Sequence, residues 1–220
     1  MDPNEHGVYD AAFVTKGLVA RNNISYPDIV IPRNGTTFIV GESGTGKSTL
    51  LKLFNQTETH TSGRIGTFFT PDISEIDTIT LRLNVILCGQ NVFLFDMTVR
   101  DNFNEFRKYM HLTHTFPDDE IKKFLEICCA ENDLDRMCGN LSGGERARVF
   151  LAICLSFAST VLMLDEPTSS LDHETAAAVI GNVKAYCAEN EITLVIVSHD
   201  RTVIDVFADN IIDLGGRKNG

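Results

Sequence analysis

The sequence lacks a hydrophobic run long enough to cross a membrane, and it has few basic residues. A membrane-spanning helix needs about 20 consecutive apolar residues, whereas the longest apolar stretches, such as Val149–Leu155 and Thr193–Val197, are short and typical of a buried core. Lys and Arg number 19 against 30 Asp and Glu, which gives a net charge of -11. Nucleic acids and anionic lipids both require basic protein surfaces. We therefore expect no nucleic-acid partner, and any membrane role must act through a protein partner.

The cysteines and the first residues indicate an ordinary cytoplasmic protein. No two of the six cysteines have CxxC spacing, and no histidine lies at zinc-finger spacing beside them. This argues for reduced thiols and against a metal centre. Met1–His6 is polar and acidic, which is not typical of a secretory signal.

The 220 residues are enough for one large domain or two tightly joined lobes. Short apolar runs alternate with amphipathic segments, which predicts a parallel α/β sheet. The predicted strands are Thr36–Val40, Val85–Leu87, Val161–Leu164, Leu194–Val197 and Ile211–Leu214. The predicted helices include Ser48–Asn55, Asp172–Asn190 and Val203–Phe207. A helical pattern over about 92–158 interrupts the alternation and predicts an inserted lobe, and residues 61–85 are interpreted as a small β-rich arm.

A glycine-rich segment between a predicted strand and a predicted helix matches the pattern G-x-x-x-x-G-K-[ST] over Gly41–Ser48. Its glycines allow backbone N–H groups to surround phosphate oxygens, and the following helix directs its positive end at the same charge. Lys47 is expected to reach the β- and γ-phosphates, and Ser48 to bind Mg²⁺. The alternative is a glycine-rich turn that only begins a helix.

Two acids, Asp165 and Glu166, directly follow the apolar run Val161–Leu164. Acids at the carboxyl end of a parallel strand lie where open α/β sheets bind ligands. A carboxylate beside a water can orient it and accept its proton. The alternative is a strand that ends in solvated acids.

The pentapeptide Leu141–Glu145 has two compatible interpretations. Ser142 and Glu145 fit a capping box at the start of a helix. The same helix start, with two glycines, offers N–H groups, a hydroxyl and a positive dipole end to an anion.

Together these segments resemble the motifs of the ATP-binding-cassette (ABC) family. The phosphate loop, Gln90, the pentapeptide, Asp165 with Glu166, Ser169–Asp172 and His199 occur in the family's order between about residues 11 and 214. The resemblance implies an α/β fold, with a P-loop NTPase (RecA-like) core of mainly parallel sheet, an antiparallel β arm and an inserted α-helical signature lobe. It implies a single domain over 1–220, with an ATP-binding core at about 1–91 and 159–220 and a helical lobe at about 92–158.

The resemblance also implies a role for each motif. It assigns catalysis to Glu166 and His199, and Mg²⁺ binding to Ser48, Gln90 and Asp165. It assigns nucleotide binding to Gly41, Glu42, Ser43, Gly44, Thr45, Gly46, Lys47, Ser48, Thr49 and Gln90. It assigns contact with the ATP of a second subunit to Ser142, Gly143, Gly144 and Glu145, and it identifies Asp172 as the D-loop residue, although Asp172 also fits a helix N-cap.

The sequence departs from the family pattern at two places. Where the family has an aromatic residue that stacks on adenine, this chain has Leu18 and Val19, with Tyr9, Phe13 and Tyr26 as nearby candidates. The pentapeptide ends in Glu145, where glutamine is commoner, and glutamate keeps the capping role.

The leading hypothesis is an ABC transporter ATPase subunit that uses ATP and Mg²⁺, dimerises on ATP binding as a homodimer or heterodimer, and drives a separate membrane permease from the cytoplasmic face. The segment Gln90–Asn102 is the expected docking surface for that permease. The first alternative is a non-transport ABC ATPase of the translation or DNA-repair type. The second is another phosphate-loop enzyme, a kinase or GTPase, which would leave the pentapeptide and His199 without a role.

Overall fold

The computed structural model describes residues 11–215, apart from residues 22, 111, 113 and 132. The strands are β1 (Ala11–Ala20), β2 (Val30–Pro32), β3 (Thr36–Val40), β4 (His60–Gly66), β5 (Val85–Cys88), β6 (Val161–Asp165), β7 (Thr193–Val197) and β8 (Asn210–Asp213). The helices are α1 (Lys47–Phe54), α2 (Thr78–Asn84), α3 (Val99–Tyr109), α4 (Asp118–Ile127), α5 (Gly143–Phe157), α6 (His173–Glu189) and α7 (Arg201–Phe207). These elements confirm the predicted α/β class.

Five strands form a parallel sheet in the order β5-β6-β7-β3-β8. All residues of β6 and β7 are buried, as expected for parallel strands that are covered on both faces. Successive side chains of a strand point to opposite faces. In β6, Leu162 accordingly joins the apolar cluster that contains α4, α5 and α6, whereas Met163 joins the cluster that contains α1 and β1.

The antiparallel arm is present, but its position was predicted only in part. It has the order β2-β1-β4, so two of its three strands precede the phosphate loop. Within 61–85, interpreted as β-rich, a 3-10 turn (Ile73–Glu75) and α2 follow β4. Asp72 and Asp77 cap these two helical pieces by accepting the N–H groups of Ser74 and Thr80 at 2.9 Å each, so side-chain capping overrides the turn-like composition.

The predicted helical segment between β5 and β6 contains α3, α4 and α5. The acids Asp118–Glu120 occupy the first turn of α4, where they meet the positive end of the helix dipole. The helix α6 buries one face, which consists of Ala176, Val179, Ile180, Val183 and Cys187. Among the described helices, none has the length and apolar character needed to cross a bilayer.

Candidate functional site

The phosphate loop connects β3 to α1 and depends on glycines. Gly46 has φ +93°, a left-handed conformation that L side chains rarely adopt. A Cβ at this position would lie 2.6 Å from the hydroxyl of Tyr26. That hydroxyl donates a 2.9 Å hydrogen bond to the Gly46 carbonyl and so stabilises the loop. Thr45 Oγ1 closes the loop by donating to the Glu42 carbonyl at 2.9 Å.

Lys47 begins α1, and its ammonium folds over the loop. Its Nζ donates to the carbonyl oxygens of Gly41 and Glu42 at 2.8 and 2.9 Å. Burial lowers the pKa of Lys47, while the nearby charges of Glu166 and Asp165 oppose the shift. An ammonium has three N–H donors. Two of them bind loop carbonyls and so hold the charge of Lys47 in place against the loop.

Ser48 lies beside the carboxylate that ends β6. Its Oγ donates a 3.0 Å hydrogen bond to Asp165 Oδ1, across 117 residues of sequence. Asp165 is buried, and this burial raises its pKa, although the bond from Ser48 works in the opposite direction. The pair is a hydroxyl and a carboxylate, the oxygen ligands that Mg²⁺ prefers.

Glu166 turns out of the sheet directly after β6. Its φ of +52° is uncommon for a non-glycine residue, and its N–H donates to the Val197 carbonyl at 3.0 Å, which fixes the turn. The carboxylate lies between two side chains from other strand ends. Gln90 Nε2 donates to Glu166 Oε2 at 3.3 Å, and His199 Nε2 lies 3.0 Å from Glu166 Oε1.

A cleft of about 560 Å³ brings together the phosphate loop, Gln90, Glu166 and His199. It is lined by Ile24, Ser43, Gly44, Gly46, Lys47, Ser48, Thr49, Gln90, Glu166 and His199. The phosphate loop, Asp165 with Glu166, and His199 follow the adjacent strands β3, β6 and β7, and Gln90 follows β5 at the sheet edge. The sheet order therefore places the predicted residues side by side at the carboxyl ends of the parallel strands.

The pentapeptide forms the start of α5, where Gly143 lines a second cavity together with Gln90, Asp165 and Glu166. The capping box is complete: Glu145 N donates to Ser142 Oγ at 3.4 Å, and Ser142 N donates to Glu145 Oε2 at 2.7 Å. These contacts, with a further hydrogen bond from Arg136, lower the pKa of Glu145 to about 2. Within the described part of the chain, Ser142, Gly143, Gly144 and Glu145 are not among the residues that line the cleft.

Asp172 is the N-cap of α6, as its position in the sequence also allowed. Its Oδ1 accepts the N–H of Thr175 at 2.9 Å, and its Oδ2 accepts the Thr175 hydroxyl at 2.8 Å. These bonds lower the pKa of Asp172.

The adenine-stacking candidates are not presented to the cleft. Phe13 is fully buried and stacks on Phe54, with ring centroids 4.2 Å apart. Tyr26 is buried, and burial raises its pKa to about 12. Tyr9 lies outside the described residues. The structure instead places Ile24 in the cleft lining, and neither its residue type nor any spacing marked it in the sequence.

Arg136 is a second residue that sequence reasoning missed. Its Nη1 donates to Glu145 Oε1 at 2.8 Å. Glu131 Oε2 lies 2.5 Å from the same nitrogen. An extended segment and a 3-10 turn separate Arg136 from α5, so no helical periodicity could have paired it with the pentapeptide.

A model of the ABC transporter family matches residues 26–169, more than half of the chain. The chain therefore belongs to the ABC transporter family. It is similar to the methionine import ATP-binding protein MetN 1 of Rhodopseudomonas palustris, with 31% identity over 218 residues, 96% of this chain and 57% of that protein. The chain thus spans little more than half the length of this curated relative, and 60% of the corresponding protein of Clostridium tetani.

Solved structures show the same fold. The protein cbiO1 of Clostridium perfringens, part of the ABC transporter complex cbiONQ, aligns with a TM-score of 0.78 and 27% identity over 93% of this chain and 84% of that chain. A bacterial ABC transporter cassette solved as a dimer aligns with a TM-score of 0.79 over 92% of this chain and 94% of its own. At 22% identity, this second likeness shows the fold alone.

Proposed function

We propose that the chain is the ATP-binding and ATP-hydrolysing subunit of an ABC transporter. One observation carries the proposal: the Glu166 carboxylate lies between Gln90 and His199 in the cleft that the phosphate loop lines. The relatives named above are transporter proteins, and none of them supports the non-transport alternative. We retain the division into an ATP-binding core at about 1–91 and 159–220 and a helical lobe at about 92–158.

The phosphate loop and the end of β6 would bind the triphosphate with Mg²⁺. Loop N–H groups and the Lys47 ammonium meet the phosphate oxygens. Ser48 and Asp165 would hold the metal, together with Gln90. The buried Asp165 supports this fit. Burial raises the pKa of Asp165 because it disfavours the charged carboxylate, and a bound cation would stabilise that charge. When bound, Mg²⁺ neutralises part of the charge on the phosphate oxygens.

Glu166 would act as the general base. It accepts a proton from a water whose oxygen attacks the γ-phosphorus, while the bond to the β,γ-bridging oxygen breaks and ADP leaves. Gln90 and His199 hold the carboxylate from both sides. The positive φ of Glu166 supports this role, because unusual backbone conformations at a strand end re-aim a functional side chain.

Glu166→Gln is the direct test. The amide keeps the size of the side chain but cannot accept the proton, so ATP hydrolysis should fall by about 10²- to 10⁴-fold. Binding of a fluorescent ATP analogue should persist, and ATP-bound dimers should accumulate in size-exclusion chromatography. Glu189→Gln, at an exposed position on α6, is the matched control and should hydrolyse at the wild-type rate. Near-normal turnover by Glu166→Gln would refute the general-base assignment.

We further propose that hydrolysis requires a second ATPase subunit. The four residues Ser142–Glu145 form the signature, and in the described chain they do not line the phosphate-loop cleft. Their helix start is therefore available to ATP held by another copy. The cap leaves a helix N-terminus that favours an anion. Two such sites form in a two-fold dimer, since each subunit contributes its loop to one site and its signature to the other.

The membrane partner would bind an aromatic patch formed by Phe93, Phe95, Phe106 and Tyr109. Phe93 is 56% exposed and Tyr109 is 65% exposed. Phe95 packs against Phe93 at 4.9 Å and stacks on Tyr109 at 5.9 Å between ring centroids. Exposed clusters of large apolar side chains are typical of protein interfaces. We propose that a permease binds here and holds the chain at the cytoplasmic face of the membrane.

A further inference from the structure

The signature of this chain carries a negative charge at the point where a phosphate is expected. Glu145 lies in the first turn of α5, with its side chain 19% exposed. Its Oε2 is engaged by Ser142 N at 2.7 Å, which holds the carboxylate over the helix start. A glutamine there would complete the same capping box without a charge.

This charge opposes the binding that the helix start otherwise favours. An N-terminal helix dipole attracts one anion, and a carboxylate in the first turn already uses part of that attraction. A phosphate that arrives at the same turn also meets like-charge repulsion, which is strong over a few ångströms in a partly desolvated site. Binding of a second anion therefore requires a compensating cation.

Arg136 supplies that cation. Its Nη1 lies 2.8 Å from Glu145 Oε1, and Nη2 donates to the Asn140 carbonyl at 3.4 Å, just before the signature. The backbone is fixed as well, because the Arg136 carbonyl accepts the N–H of Val99 at 3.0 Å. The Arg136 side chain is 28% exposed and that of Glu145 is 19% exposed, so water screens the pair less than it screens a fully exposed salt bridge.

The other charged neighbours of this pair do not provide a second cation for Glu145. Glu131 also contacts the guanidinium, at 2.5 Å, so Arg136 pairs with two carboxylates, but the Glu131 side chain is 65% exposed and water compensates more of its charge than of the Glu145 charge. Arg146, within the same first turns of α5, donates to the Cys138 carbonyl at 2.7 Å. In the described chain, Arg136 is thus the basic side chain that forms an ion pair with Glu145.

We propose that Arg136 is a positioning residue that neutralises Glu145, so that the start of α5 can accept the γ-phosphate of ATP held by a second subunit. This inference rests on the proposed function. According to this inference, Arg136 is needed only because the signature ends in the charged Glu145 and not in a neutral residue.

A double-mutant cycle tests this dependence. The ATP hydrolysis rate of the full chain is measured against ATP concentration for wild type, R136M, E145Q and R136M/E145Q. R136M should reduce the rate at subsaturating ATP by at least about fivefold, because the Glu145 charge is left without its cation beside the phosphate site. In the E145Q background, the same substitution should change the rate by less than about twofold.

Two further measurements separate charge from structure. Raising the salt concentration should shrink the R136M defect, because ions screen the unpaired carboxylate. K184M is the matched control: Lys184 is 27% exposed and pairs with Asp209 at 2.6 Å, far from the signature in sequence, and its loss should leave the rate unchanged. Circular dichroism and the thermal midpoint verify folding, and R136Q, which keeps an N–H donor, replaces R136M in the cycle if R136M does not fold.

The outcomes are distinguishable. Equal losses from the arginine substitution in both backgrounds would overturn the inference, since Arg136 would then act only by holding the loop. A wild-type rate in R136M would overturn it too, while leaving the proposed function intact. A wild-type chain that does not hydrolyse ATP would overturn both.

Discussion

Asn102 holds the aromatic patch through a fully buried amide. Its Oδ1 accepts the N–H of Phe95 at 2.8 Å, and its Nδ2 donates to the carbonyls of Phe95 at 3.1 Å and Thr98 at 3.0 Å. A backbone N–H can only donate, so the contact with Phe95 fixes which amide atom is the oxygen. These bonds close the turn between Phe95 and the start of α3.

Asn102→Asp preserves the shape of the side chain but replaces its donor with an oxygen. The two carbonyls lose their partner, at a cost of about 1 kcal/mol each. The new carboxyl faces carbonyl oxygens, which raises its pKa above the unfolded value of about 3.9. Because the pKa is higher in the folded state, the free energy of unfolding decreases as the pH rises from the unfolded-state pKa of about 3.9 towards the folded-state pKa. The lost bonds contribute about 2 kcal/mol and the shifted protonation about 1.4 kcal/mol for each pH unit above about 3.9, so the expected loss is about 5 kcal/mol at pH 6 and increases further towards pH 8.

Urea unfolding at pH 6 and pH 8 measures this loss. Asn102→Ala, which removes the same bonds without adding a carboxyl, should cost about 2–3 kcal/mol at both pH values. Asn182→Asp, at an exposed position on α6, should cost no more than about 0.5 kcal/mol. A loss below about 1 kcal/mol for Asn102→Asp at pH 8, or a loss that does not change with pH, would refute the hydrogen bonds of Asn102 with Phe95 and Thr98.

Two further predictions concern partners. Phe93→Ala removes an exposed ring, so we expect unchanged unfolding free energy and intrinsic hydrolysis but lost stimulation by the permease. Absence of all hydrolysis in the folded variant would contradict the docking assignment. Ser142→Ala and Lys47→Ala should each be inactive alone, whereas their mixture should regain part of the activity, because a mixed dimer contains one complete site. A mixture as inactive as its components would contradict the shared site.

The parallel sheet could be predicted because its strands are short, continuous apolar runs. Val161–Leu164 and Leu194–Val197 are buried on both faces, and such runs stand out without any periodicity. The helices that flank them could be recognised from their caps, since Asp172 and Ser142 both lie at the helix starts that the sequence marked. These signals are local, and the tertiary structure agrees with them.

The arm could be located only in part, because its longest strand lacks a regular pattern. The strand β1 contains Gly17 at φ +58°, and its register with β4 shifts between Lys16 and Val19. Such irregularities break the period-two alternation that identifies a half-buried strand. The ion pair of Arg136 with Glu145 was equally hidden, because it depends on how the segment between α4 and α5 folds back.

The catalytic half of the candidate site depends on strand order, which no single motif contains. Gln90 and Glu166 are 76 residues apart, and Ser48 and Asp165 are 117 residues apart, yet each pair is in contact. Both contacts arise because the carboxyl ends of parallel strands meet at one edge of the sheet. The signature is carried instead by α5, which follows α4 rather than a strand of the sheet. Charge balance at Glu145 is therefore separable from proton transfer at Glu166, so Arg136 variants should alter the dependence on ATP concentration, whereas Glu166→Gln should alter the maximal rate.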